Sequence, residues 1–141
     1  MRAPFFLLTF VAFLGTAASA FPVSLVCEGN IRIVQSGSQS DGGTFRLLLE
    51  LNQNGSFVGR FDPVNATFAG KLATLSQYYM LTAAVDGWVG NVETRSEQNI
   101  QIDRNSGRYI GQYTSWSSAT GFNYEQDYDG TCFLNTEIPK F

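Results

Sequence analysis

Thr44-Phe45-Arg46-Leu47-Leu48-Leu49-Glu50-Leu51-Asn52, then Gln53-Asn54-Gly55, then Ser56-Phe57-Val58-Gly59-Arg60-Phe61 is the stretch whose reading decides the fold. Phe45, Leu47, Leu49 and Leu51 alternate with Thr44, Arg46, Glu50 and Asn52, and only Leu48 breaks the period of two that marks a half-buried strand. After the Asn-Gly pair, Phe57, Gly59 and Phe61 alternate with Val58 and Arg60. Because the side-chain period is two, loop length fixes which faces meet. A two-residue turn would set Leu49 against Arg60, whereas a Gln53-Asn54-Gly55 loop sets Leu51 against Phe57 and Leu47 against Phe61. The longer loop, with Gly55 in the left-handed conformation, is the expectation.

Working outward, Asp103-Arg104-Asn105-Ser106-Gly107-Arg108 repeats the device. An Asn105-Ser106-Gly107 loop would set Ile102 against Ile110 and Asp103 against Tyr109, leaving Tyr109 and Tyr113 on the polar, exposed face. The last strand, Phe122 to Phe133, places Tyr124, Gln126, Tyr128, Gly130 and Cys132 on one face and Glu125, Asp127 and Asp129 on the other. Near the start, Val23, Leu25 and Cys27 share a face, and Ile31 to Gln35 extend that strand past a bend at Gly29. Between these ends, Thr67–Ser76 and Tyr78–Val85 read as strands and Asp86-Gly87 as a turn into Trp88–Thr94. A helix over 66–84 is the competing reading. Ser36 to Gly43 reads as a polar loop, and Trp88 and Trp116 as core residues. The fold class is therefore all-β, an antiparallel meander forming a small barrel or a sandwich.

Met1 to Ala20 carries Arg2, an apolar run of about ten residues and the small residues Ala18-Ser19-Ala20, the pattern of an export signal. That run is too short to span a bilayer. The expected organisation is a signal peptide over 1–20 and one β domain over 21–141. Exported chains hold their cysteines oxidised, so Cys27 and Cys132 are expected to pair and tie the first strand to the last. The expected location is secreted or periplasmic. A net charge of −3, with basic residues scattered, disfavours nucleic acid and anionic membrane surfaces. Phe141 invites an outer-membrane barrel reading, yet Pro139, Glu137 and Asn135 make no lipid-facing stripe.

The chain contains no histidine, which removes histidine-based hydrolysis and histidine-ligated zinc. With both cysteines paired, thiolate chemistry goes too, leaving carboxylates as the acid–base groups. Glu125, Asp127, Asp129 and Gly130 match the first half of a calcium loop, but Thr136 stands where the bidentate glutamate belongs, so they form a weak metal candidate. No cofactor is indicated. Tyr109 and Tyr113, beside amides and acids, are the candidate ligand-binding residues, since tyrosine offers rigid area plus a hydroxyl. Asn54 and Asn65 head glycosylation sequons that matter in a eukaryotic host.

Gly55-Ser56-Phe57-Val58-Gly59-Arg60-Phe61 resembles the glycine–aromatic strand pattern of avidin-like barrels, without the tryptophans and polar set of a biotin pocket. Cys27-Glu28-Gly29, Ile102-Asp103-Arg104-Asn105-Ser106-Gly107 and Gly130-Thr131-Cys132 together resemble small exported β-proteins of alphaproteobacteria, a group with no assigned activity. That resemblance implies compartment and fold class. The functional expectation is an exported, non-enzymatic binding module or envelope component whose partner is a small molecule, a glycan or a protein. The alternative is a carboxylate-dependent, glycan-directed enzyme using Asp103 or Glu125 and Asp127.

Overall fold

The computed structural model describes residues 22–62 and 66–135, which excludes the expected signal peptide, Asn65, Thr136 and Phe141. Eight antiparallel strands follow one another round a closed barrel: β1 (Val23–Gln35), β2 (Ser38–Leu51), β3 (Ser56–Asp62), β4 (Ala66–Thr74), β5 (Tyr78–Val89), β6 (Val92–Asp103), β7 (Arg108–Ser117) and β8 (Phe122–Leu134). The β2–β3 register is the one its sequence dictates, with Leu51 opposite Phe57 and Leu47 opposite Phe61. Gly55 has φ 81°, and Asn52 N–H donates to the Ser56 carbonyl across the loop. The sheet closes where β1 meets β8, and Cys27 and Cys132 face each other there as a disulfide spanning 105 residues. For a loop of that length the chain-entropy model gives about 4–5 kcal/mol of stabilisation.

Two residues away, Gly29 stands opposite Gly130. A Cβ on either would run into the other strand's backbone, at Asp129 O or Glu28 O. Paired glycines therefore let β1 and β8 approach closely at the seam, a demand no other residue meets.

The strands expected over 67–76 and 78–85 do form, as β4 and the first part of β5, in place of the competing helix. Four expectations are corrected. Ser36 to Gly43 is not a loop: only Ser36 and Gly37 turn, and β2 begins at Ser38. The chain runs straight through Asp86-Gly87, within β5, and reverses at Gly90-Asn91, where Gly90 has φ 62°. In the β6–β7 hairpin Ile102 pairs with Tyr109 and Ile100 with Gly111, one residue away from the expected register. The reason lies in the loop. The Asp103 carboxylate accepts from the N–H groups of Asn105 and Ser106 (2.8 and 2.9 Å), and Gly107 N–H donates to the Asp103 carbonyl, which makes a four-residue connection. A one-residue slip turns every side chain of β7 over. Tyr109, Gly111 and Tyr113 consequently point into the barrel, and Ile110 points out, 47% exposed. Trp88, expected in the core, is 69% exposed on the outer side of β5, and Trp116 lies half-buried on the outer wall beneath the Arg95 guanidinium.

The interior is layered along the barrel axis. Its lower layer is aliphatic, built from residues such as Leu49, Leu51, Leu72, Leu81, Ile100 and Ile102, each of whose burial is worth about 1.5–3 kcal/mol. The loops beneath seal it: Leu72 N–H donates to the Gly55 carbonyl, Cys132 N–H to the Gly107 carbonyl and Arg104 Nη1 to the Leu75 carbonyl, while the Arg104 guanidinium stacks over Tyr79. Above lies a chain of rings, Phe57 to Phe68 to Phe61 to Tyr128 to Phe45 to Tyr109, with successive centroids 5.2–5.8 Å apart. The Phe68 ring covers Gly59 and the Tyr109 ring covers Gly111, so aromatics fill the space that the glycines leave. The outer wall is polar, the reverse of a lipid-facing barrel. Among the described residues no helix is long and apolar enough to cross a membrane.

Candidate functional site

On β5, β6 and β7 burial of the inward row falls off in one direction. On β6 it runs from Ile102, Ile100 and Gln98, all buried, to a half-buried Ser96. On β7 it runs from buried Tyr109 and Gly111 to half-buried Tyr113 and Ser115. On β5, Tyr79, Leu81 and Ala83 are buried, but the next inward position, Val85, is 68% exposed. Among the described residues the barrel is thus floored at one end and uncovered at the other. Part of the opening is lateral, because β4 and β5 pair only from Lys71–Thr82 to Thr74–Tyr79 and part company above that.

The wall of this mouth changes chemistry as it rises. Above the ring layer stand Gln98, Tyr113, Tyr124 and Gln126, with Tyr128 at the boundary. Gln98 is opposite Tyr113, and Tyr113 is opposite Gln126. Tyr128 Oη donates to Gln126 Oε1 at 2.6 Å, and Gln126 Nε2 donates to Tyr124 Oη at 2.7 Å. Burial, with Tyr124 and Tyr113 nearby, pushes the Tyr128 hydroxyl up to about 12. Burial raises the Tyr109 hydroxyl further, against a lowering influence from neighbouring Gln98. Both phenols are therefore neutral donors near pH 7. Gln98 and Tyr109 are hydrogen-bonding neighbours, but the contact is poorly aligned and leaves the buried Gln98 Nε2 and Tyr109 Oη without a partner of good geometry. Among the described residues no Asp, Glu, Lys or Arg stands on an inward row.

The sequence-derived candidates divide between the two walls. Tyr113 stands at the mouth and Tyr109 beneath it, wholly buried rather than exposed. Glu125, Asp127 and Asp129 occupy successive outward positions of β8, each roughly 7 Å beyond the last, and each meets a different neighbour. Gln112 Nε2 donates to Glu125 at 2.8 Å, Asp127 stands opposite Arg32, and Asp129 pairs with Arg108 at 3.7 Å. They do not converge, and no group of three metal-ligating side chains occurs among the described residues. Asp103 sits in the floor-side loop, where the backbone N–H groups of Ser106 and Asn105 hold its pKa below the ordinary 3.8, the opposite direction to that needed of a general acid. Asn54 is exposed in the β2–β3 loop, its Oδ1 accepting from Ser56 N–H at 3.1 Å.

A larger concavity among the described residues lies elsewhere. A trough of about 770 Å³ on the outer wall is lined by Arg32, Asp41, Ile110, Gln112, Asp127 and Asp129, among others. Its charges stand opposite one another across the strands, Arg32 facing Asp41 and Asp127, as on any solvated outer wall. The mouth is the better candidate because neutral polar groups converge there and two of them lack a partner of good geometry. Gln98 escaped the sequence reading because it interrupts an apolar row with no motif around it. Tyr124, Gln126 and Tyr128 were visible as one face, but nothing in the sequence announced that this face ends at an opening. No protein-family model matches the chain, and no curated protein matches it.

Proposed function

We propose that this is an exported, non-enzymatic binding protein that takes a neutral ligand at the open end of its barrel. The observation that carries the reading is the uncharged Tyr–Gln wall, buried below and half-exposed above, on a closed β scaffold. Eight-stranded barrels have room for one small ligand at such a place. Tyrosine faces suit a flat apolar surface, and the amides suit hydroxyl or carbonyl groups. A wall without charge disfavours ionised ligands, since an ion taken from water there would find no counter-charge. Export rests on the signal-like 1–20 segment, and a disulfide is compatible with a secreted or periplasmic location. The carboxylate-enzyme alternative draws little support from acids that lie apart on the outer wall.

The test is a thermal-shift screen of the mature, disulfide-bonded protein with neutral sugars, phenyl ketones and calcium, because a ligand specific to the folded state raises its Tm. A neutral probe should raise the Tm of the wild type and of Asp127→Asn but not of Tyr113→Ala. A shift lost in Asp127→Asn and kept in Tyr113→Ala would move the site to the outer trough.

A further inference from the structure

We propose that two copies of this chain dimerise by pairing their β5 strands edge to edge, antiparallel, over residues 84–89, with the two-fold axis at Gly87. The contact uses the free edge of β5 rather than the mouth.

β5 pairs with β6 along its whole length, up to Val89 opposite Val92, but with β4 only from Tyr79 to Thr82. Among the described residues no strand pairs with the other edge of residues 84–89. Gly90-Asn91 is a two-residue turn, which makes Val89 and Val92 a hydrogen-bonded pair. Alternation then turns the N–H and C=O of Gly87 and Val85 to β6, and those of Ala84, Asp86 and Trp88 to the free edge. Such a row is a template for another strand unless charge, proline or a bulge blunts it. The upper part of β2 is also free, because β2 pairs with β3 only from Arg46 to Leu51, but it is polar and its register with β1 shifts beside Gly42-Gly43. β5 has none of these protections. Residues 84–89 include no lysine, arginine or proline, their pairing with β6 is regular, and the one charge, Asp86, stands opposite Arg95. Val85, Trp88 and Val89 are 68%, 69% and 71% exposed.

The pattern selects a second copy as the occupant. Val85-Asp86-Gly87-Trp88-Val89 has valine at both ends and glycine at its centre, so an antiparallel pair centred on Gly87 is self-complementary. It sets Val85 against the partner's Val89 on one face and Asp86 against the partner's Trp88 on the other, with no like charges opposed. Asp86 and Trp88 are also residues whose N–H and C=O are free, so those two pairs exchange four main-chain hydrogen bonds. Glycine at the axis leaves room where the two backbones come closest.

The experiment is sedimentation velocity of the mature, disulfide-bonded protein from micromolar to millimolar concentration, with amide hydrogen exchange measured at both ends of that range. Dimer should accumulate with concentration. In it the amides of Asp86 and Trp88 should exchange at least tenfold more slowly than in the monomer, while those of Val85, Gly87 and Val89, already bonded to β6, change little. Asp86→Pro deletes an N–H that β6 does not use, and should weaken dimerisation at least tenfold. Val85→Lys places a charge where the partner's Val89 packs, should do the same, and serves where Asp86→Pro disturbs the hairpin. A protein that is monomeric throughout the range, or a dimer that survives both substitutions, overturns the proposal. So does a dimer in which the amides of Asp86 and Trp88 still exchange freely. Protection of those amides in a persistent monomer, gained on adding a Thr-Val-Thr-Val-Thr peptide, gives the edge to a foreign strand and overturns the dimer as well.

Discussion

At the scale of single residues, the structure turns on places where a side chain is forbidden and places where one is left without a well-aligned partner. Gly130 belongs to the first kind: a methyl group there meets the Glu28 carbonyl across the β1–β8 seam. Gly130→Ala should therefore lower stability by about 2 kcal/mol or more, read by urea denaturation, because the obstacle is backbone. Tyr109 belongs to the second. Truncation to Ala should cost about 3–5 kcal/mol for the lost ring, whereas Tyr109→Phe removes only a poorly partnered hydroxyl and should leave the unliganded protein as stable or more so. Asp103 is a third case. Its pKa is lowered by the amides of Ser106 and Asn105, so its contribution is present above the ordinary 3.8 and is lost as the pH falls through the lower folded value. The Tm difference between wild type and Asp103→Ala should accordingly be full at pH 6 and vanish towards pH 2.

At the scale of elements, two hairpins of similar sequence show why one register was legible and the other was not. In β2–β3 the apolar rows are long, Phe45 to Leu51 against Phe57 to Phe61, so only one loop length keeps the faces unmixed. In β6–β7 the inward row of β7 is Tyr-Gly-Tyr and the outward one carries Ile110, so polarity alternation points the wrong way. The decision passes to Asp103, whose carboxylate organises a four-residue loop, a tertiary detail that counting apolar positions does not reveal. Asp86-Gly87 misleads for a related reason. Arg95 stands opposite Asp86 on β6, so pairing holds the dipeptide extended and the turn forms at Gly90-Asn91. Trp88, carried past the body of the barrel by this long hairpin, packs little. Trp88→Ala should shift stability by no more than about 0.5 kcal/mol, in contrast to a core tryptophan, and its fluorescence maximum should lie at a solvent-exposed wavelength.

At the scale of the whole molecule, the sheet is a ring whose two ends are bolted together next to a pair of glycines. The disulfide and the all-β class were legible from two cysteines and the strand phasing around them, but barrel rather than sandwich was not, because the same first-to-last pairing serves both. What the barrel adds is an axis, with an aliphatic floor, a ring layer and a neutral polar mouth. Replacing both cysteines by serine should lower stability by up to about 4–5 kcal/mol, less whatever order the open chain retains. In the oxidised protein, intact mass should rise by two hydrogens on reduction.

The mouth exists only if β7 is paired as observed, since one residue of slip would turn Tyr109 and Tyr113 to the outside and Ile110 to the inside. Cross-strand nuclear Overhauser contacts in the mature protein measure that register. The account predicts contacts of Ile102 with Tyr109, Ile100 with Gly111 and Gln98 with Tyr113. Contacts of Ile102 with Ile110 and of Asp103 with Tyr109 would contradict it and remove the tyrosine-lined site.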